Sequence, residues 1–129
     1  MRILLADAQP RVRFALRVLL EQQPGMQVVG ESDDAEGLLV QIRATHPDLV
    51  LLGWELPGLA ALDSLSVLRE VPPGPAVIAL SGRPEVRFAA LSAGADAFVS
   101  KGDPPERLLE TIANCWANST NREEGVDAC

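Results

Sequence analysis

The sequence predicts a doubly wound α/β domain, a five-stranded parallel sheet flanked by five helices. Three observations carry that reading. Five short apolar runs alternate with segments of helical period, each run is continuous rather than alternating, and turn residues punctuate the joins. Strands that are apolar at every position are covered on both faces, and crossover helices supply that cover.

The runs are Ile3-Leu4-Leu5, a weaker Val28-Val29, Leu49-Val50-Leu51-Leu52, Val77-Ile78-Ala79-Leu80 and Ala97-Phe98-Val99. Between them, Val12, Ala15, Leu16 and Leu19 fall at i, i+3, i+4 and i+7, and Ala35, Leu38, Leu39 and Ile42 repeat the spacing. Leu62, Leu65 and Leu68 make a shorter stripe for a third helix. Val86, Ala89, Ala90 and Ala93 mark the fourth, and Leu108, Leu109, Ile112, Cys115 and Trp116 the fifth. Each stripe is expected to cover the sheet.

The punctuation agrees. Pro10 suits a first helical turn and Pro24-Gly25 closes that helix. Asp33 or Asp34 can cap the second, which His46-Pro47 ends. Pro72-Pro73-Gly74-Pro75 reads as a rigid loop, Gly94 as a helix end and Pro104-Pro105 as a helix start. From Ala117 the chain turns polar and loses its period. The domain is therefore read as residues 1–118, with a polar tail over 119–129 expected to fray.

Composition excludes several functions. Apolar residues at 47% and charged residues at 22% are ordinary for a globular domain. No apolar run approaches the roughly 20 residues of a membrane span. Asp7 ends the first run too early for a secretory signal. A net charge of -7 argues against nucleic-acid binding by this domain alone. Cys115 and Cys129 form no metal or disulfide pattern, and a reduced cytoplasm is the natural setting. Ten arginines accompany a single lysine, Lys101.

Parallel sheets bind ligands beyond the carboxyl ends of their strands. Those ends carry Asp7-Ala8, Gly53-Trp54-Glu55, Ser81-Gly82 and Ser100-Lys101-Gly102. A dinucleotide fingerprint and a Walker loop are both missing, and the loop after strand one has no glycine to admit a phosphate. A flavin or nucleotide cofactor is not expected. Asp7, Ser81 and Lys101 remain as a polar cluster.

Five stretches in order resemble response-regulator receiver domains: Ile3-Leu4-Leu5-Ala6-Asp7, Pro47-Asp48-Leu49-Val50-Leu51-Leu52, Leu56-Pro57-Gly58, Ala79-Leu80-Ser81 and Ala93-Gly94-Ala95-Asp96-Ala97-Phe98-Val99-Ser100-Lys101. Lys101 followed by Gly102-Asp103 is similar to the LuxR-type branch. The resemblance runs from about Arg2 to Trp116. It implies a receiver (flavodoxin-like) fold and a site where two acidic residues and a phosphoacceptor aspartate bind magnesium, beside a hydroxyl and a lysine. A hard divalent cation needs several carboxylate oxygens, and phosphoryl transfer needs cations against the phosphoryl charge.

By that resemblance Asp7 matches the first acid, Ala8 replaces the second and Gly53 replaces the phosphoacceptor. Glu55 lies where a backbone carbonyl would serve the metal. Ser81 matches the hydroxyl, Lys101 the lysine and Phe98 the switch aromatic. The site is thus degenerate, with no phosphorylation expected at Gly53 and weak or absent magnesium binding. Lys101 is expected to pair with Asp7. Ser81 is either a switch hydroxyl or a local turn donor. Trp54 shields the site, supplies an anchor for a partner, or is a partly buried loop residue. Glu55 sits two residues too late to serve as a substitute acid. His46 is expected to be structural and Cys115 a small core residue.

The resemblance implies a pseudo-receiver, not an enzyme. It would act in phosphorylation-independent signalling or transcription regulation, through a protein partner or a homodimer formed by helices four and five or one and five. A histidine kinase is a further partner it implies. The alternatives are a receiver phosphorylated at another residue and a small-molecule module using the vacated pocket. LuxR-type regulators carry a helix-turn-helix domain after the linker. The chain is either a stand-alone receiver or one cut at that linker.

Overall fold

The computed structural model describes residues 1–62, 65–70 and 74–125, with side chains described through Trp116. Five strands form one parallel sheet: β1 Arg2–Ala6, β2 Gln27–Ser32, β3 Leu49–Gly53, β4 Ala76–Ser81 and β5 Ala97–Ser100. Their order is β2-β1-β3-β4-β5. The chain reverses direction across the sheet at β1, so the switch point lies between β1 and β3.

Strand residues alternate between two cores. Leu4, Val50, Leu52, Val77 and Ala79 face one side, against Leu38 and Ile42 of helix α2 (Ala35–Thr45) and Ala90 of helix α3 (Arg87–Ser92). Ile3, Leu5, Leu49, Leu51, Ile78 and Leu80 face the other. There they meet Leu20 of helix α1 (Pro10–Glu21) and Leu108 and Ile112 of helix α4 (Pro105–Gly125). Continuous apolar strands are what this double cover demands.

Local chemistry sets the boundaries. Pro10 opens α1, where a missing N–H costs nothing. Asp34 caps α2 by accepting the Gly37 N–H at 2.7 Å. His46 ends that helix in the left-handed region at φ 47, just ahead of Pro47. Pro105 opens α4.

Two expectations are corrected. The predicted third helix is two short 3-10 segments, Leu59–Ala61 and Leu65–Arg69. Leu62 between them is extended, so the leucine spacing supplies two buried anchors, Leu65 and Leu68, but no α-helix. The sheet is flanked by four α-helices and 3-10 turns among the described residues. Several stripe residues are not buried: Leu20 rather than the Val12–Leu19 stripe is the buried residue of α1, Ala89 is exposed, and Trp116 is 45% exposed. Helix α4 runs from Pro105 to Gly125. No proline interrupts residues 117–125, and a helix can outrun its apolar stripe. Asp63, Ser64, Pro72, Pro73 and Cys129 lie outside the described residues.

Candidate functional site

Strand register assembles the site at the carboxyl end of the sheet. Ala6 pairs with Leu52, so the next residues, Asp7 and Gly53, are neighbours. Gly53 pairs with Leu80 and Ser81 with Ser100, which brings Lys101 alongside. The Lys101 N–H donates to Ser81 O at 2.8 Å and the Trp54 N–H to Leu80 O at 2.8 Å.

Asp7 is only 3% exposed. Its Oδ1 accepts the Gln9 N–H at 2.9 Å. Its Oδ2 lies 2.8 Å from Lys101 Nζ, a charge contact outside hydrogen-bond geometry. The Asp7–Lys101 pair expected from the sequence is therefore formed. Gly53 permits it. A Cβ on residue 53 would lie 2.5 Å from Asp7 Oδ2 and 2.9 Å from its Cγ, closer than such atoms approach. The Asp7 carboxylate thus fills the space that any side chain at position 53 would need.

A second carboxylate reaches the site: Glu55 lies two residues beyond Gly53, and its Oε2 accepts the Ser81 hydroxyl at 2.8 Å. The Leu56 N–H donates to Gly53 O at 3.1 Å, and this tight turn folds residue 55 back over the strand end. Counting residues along an extended chain missed that turn. Ser81, fully buried, also accepts the Arg83 N–H at 3.0 Å, so it is both a turn acceptor and a site donor. Arg83 Nη2 reaches Glu55 Oε2 at 3.3 Å.

Sequence reasoning missed Arg83 and Arg13. Arg13, on α1, donates to the backbone oxygen of Asp7 and forms a 2.9 Å ion pair with Glu31 of β2. Its i+3 place after Pro10 was the available signal, because it points the side chain back at the strand end. Trp54 and Phe98 are half-buried against the same core layer. Ala8 is exposed and brings no side-chain oxygen to the site. His46 caps α2 and Cys115 is buried in the core, both away from the site.

The vacated pocket is a cavity of about 170 Å³ lined by Asp7, Gly53, Glu55 and Lys101 among others, and Trp54 does not line it. That is below the roughly 300 Å³ where small-molecule sites begin. A larger apolar cavity of about 340 Å³ lies between α1 and α4, over Leu80 and Val99, and shares Lys101.

The chain belongs to the response regulator receiver domain family, which matches over residues 3–113. It is 33% identical over 113 residues to the nitrate/nitrite response regulator protein NarP of Escherichia coli, covering 86% of this chain and 53% of that protein. It is 36% identical over 121 residues to the virulence regulator BvgA of Bordetella pertussis, covering 92% and 57%. It therefore spans a little over half the length of these relatives. Among solved structures it is similar to a LuxR-family two-component response regulator from Aurantimonas sp. SI85-9A1. The TM-score there is 0.78 at 31% identity, covering 91% of this chain and 85% of that one.

The family's magnesium site can be tested against the residues present. Hard divalent cations need several oxygens from carboxylates and carbonyls. Here Asp7 Oδ1 is held by a backbone N–H and Oδ2 by Lys101, while Ala8 and Gly53 bring no side-chain oxygen. Among the described residues, none of the His, Cys, Asp and Glu side chains group in threes to hold a metal. The donor set does not fit magnesium. Also among the described residues, no helix is long and apolar enough to cross a membrane.

Proposed function

We propose that this chain is a pseudo-receiver, a receiver domain that signals through protein association without being phosphorylated. Asp7 carries the reading. Its carboxylate sits where a side chain on residue 53 would be, and it holds the lysine that would otherwise meet a phosphoryl group. An acceptor, a metal site and a free cation are the three requirements of the transfer. Gly53 offers no acceptor, Ala8 and Gly53 bring no carboxylate for a metal, and Lys101 is held by Asp7.

Output then rests on surfaces. Phe88 of α3 is 82% exposed and Phe14 of α1 is 70% exposed, large apolar groups that favour contact with a protein partner or a second copy. These lie on the helices read from the sequence as four and one. The relatives are regulators about twice as long, which supports a role in transcription regulation with the receiver unit, residues 1–118, acting on an attached or separate effector. The net charge of -7 argues against direct DNA contact by this unit.

The test is incubation with acetyl phosphate and magnesium, read by intact mass. The wild-type chain gains no stoichiometric phosphoryl adduct, and neither does Gly53→Asp alone, whose new side chain must first displace Asp7. Ala8→Asp with Gly53→Asp gains one. A stoichiometric adduct on the wild type that survives Gly53→Ala overturns the reading.

A further inference from the structure

The β4 side of the site has a role of its own. Ser81 is 0% exposed, and its hydroxyl donates to Glu55 Oε2 while accepting the Arg83 N–H. The Arg83 guanidinium reaches the same carboxylate oxygen. One anion therefore ties the turn after β3 to the turn after β4. The second turn runs directly into the 3-10 segment Pro84–Val86 and then α3, which displays Phe88.

We infer that the Glu55 carboxylate is this chain's built-in substitute for a phosphoryl group on the Ser81 side, an internal anion that fixes the segment leading into α3. Its meaning rests on the pseudo-receiver reading, but its geometry does not. A carboxylate oxygen accepts from a hydroxyl and pairs with a guanidinium as a phosphoryl oxygen does. The Gly53–Leu56 turn supplies the reach that position 55 lacks on an extended chain. The two protein groups that would meet a phosphoryl group are thereby both engaged, Lys101 by Asp7 and Ser81 by Glu55. Glu55 is a positioning residue. It forms no covalent bond, and its effect is to hold the loop over residues 82–83 in one arrangement.

The experiment is amide hydrogen exchange by NMR on the full chain. It follows Arg83, whose N–H is held by Ser81, with Val77 at the far end of β4 as the reference. Glu55→Ala raises Arg83 exchange about tenfold, the scale of one charge-assisted hydrogen bond, and leaves Val77 unchanged. Glu55→Gln falls between, because its amide oxygen still accepts from Ser81 but no longer pairs with Arg83. Ser81→Ala, which also removes the acceptor of the Arg83 N–H, raises exchange at least as far as Glu55→Ala, and the double variant falls short of the sum of the two. If Glu55→Ala fails to fold, Glu55→Gln decides. Unchanged Arg83 exchange in a folded Glu55 variant, or independent effects of the Glu55 and Ser81 changes, overturns the inference. A phosphoryl adduct on the wild type would instead overturn the pseudo-receiver reading, and the exchange result would stand.

Discussion

The two ends of the sheet use carboxylates differently. At the amino end, Asp48 and Asp96 each sit one residue before a strand and bind the backbone of a neighbour. Asp48 Oδ2 accepts the Arg2 N–H at 2.7 Å, and Asp96 Oδ2 accepts the Val77 N–H at 2.8 Å and an Arg69 ion pair at 2.7 Å. At the carboxyl end, Asp7 and Glu55 engage the side chains Lys101 and Ser81, and the backbone contact of Asp7 is local, to the Gln9 N–H two residues on, with no neighbouring strand. The amino-end carboxylates complete strand hydrogen bonding and define register. The carboxyl-end carboxylates are held against groups that another ligand could take. One end specifies the fold and the other holds a state.

The largest effect expected from breaking this division is at Lys101. Lys101→Met leaves the Asp7 carboxylate buried without its counter-charge. Removing one partner of a buried pair costs about 3–5 kcal/mol, reduced here toward about 2–3 because the lysine side chain keeps 22% exposure. Adding Asp7→Asn to Lys101→Met recovers much of that loss, since a neutral pair leaves no stranded charge. Urea unfolding near neutral pH measures the cycle. A Lys101→Met variant as stable as the wild type would show that the pair is an incidental surface contact.

Asp96→Ala sharpens the contrast from the other end. It strips the Val77 N–H and the Arg69 guanidinium of an acceptor, at a cost of about 1–2 kcal/mol because the site is part-exposed. The same variant leaves exchange at Arg83 unchanged. Loss of Arg83 protection in Asp96→Ala would mean that the two ends do not act separately.

The fold was legible because the strands are buried on both faces, and residues such as Val50 and Leu51 therefore show no alternation to confuse with an exposed strand. The third helix does not form although Leu62, Leu65 and Leu68 carry the spacing of an α-helix, because a short 3-10 segment buries Leu65 and Leu68 and Leu62 is extended before it. Half of the site was legible. The pairing of Asp7 with Lys101 follows from two strand ends and opposite charges. The Glu55–Ser81 contact was hidden, because it depends on the Gly53–Leu56 turn, which sequence distance does not express.

The smallest effect is at Glu31, an ion-paired carboxylate toward the carboxyl end of β2 but outside the site. Burial pushes its carboxyl up, yet hydrogen bonds and charge from Arg17 and Arg13 outweigh it and leave it below the ordinary 4.5. A group depressed in the folded state contributes its stability fully above its unfolded value and loses it as pH falls through the folded one. Glu31→Gln therefore costs about 1 kcal/mol near neutral pH, where a part-exposed carboxylate gains little from its pairs. The gap between variant and wild type closes as pH drops below 4.5. Molar salt shrinks the same gap by screening the part-exposed Glu31 carboxylate, at 32% exposure, but leaves the Lys101→Met cost nearly intact because Asp7 is buried. Parallel urea titrations in low and high salt measure both. Equal salt sensitivity at Glu31 and Lys101 would mean that the site pair is as solvated as the surface one, and the contrast between a held state and an ordinary ion pair would fail.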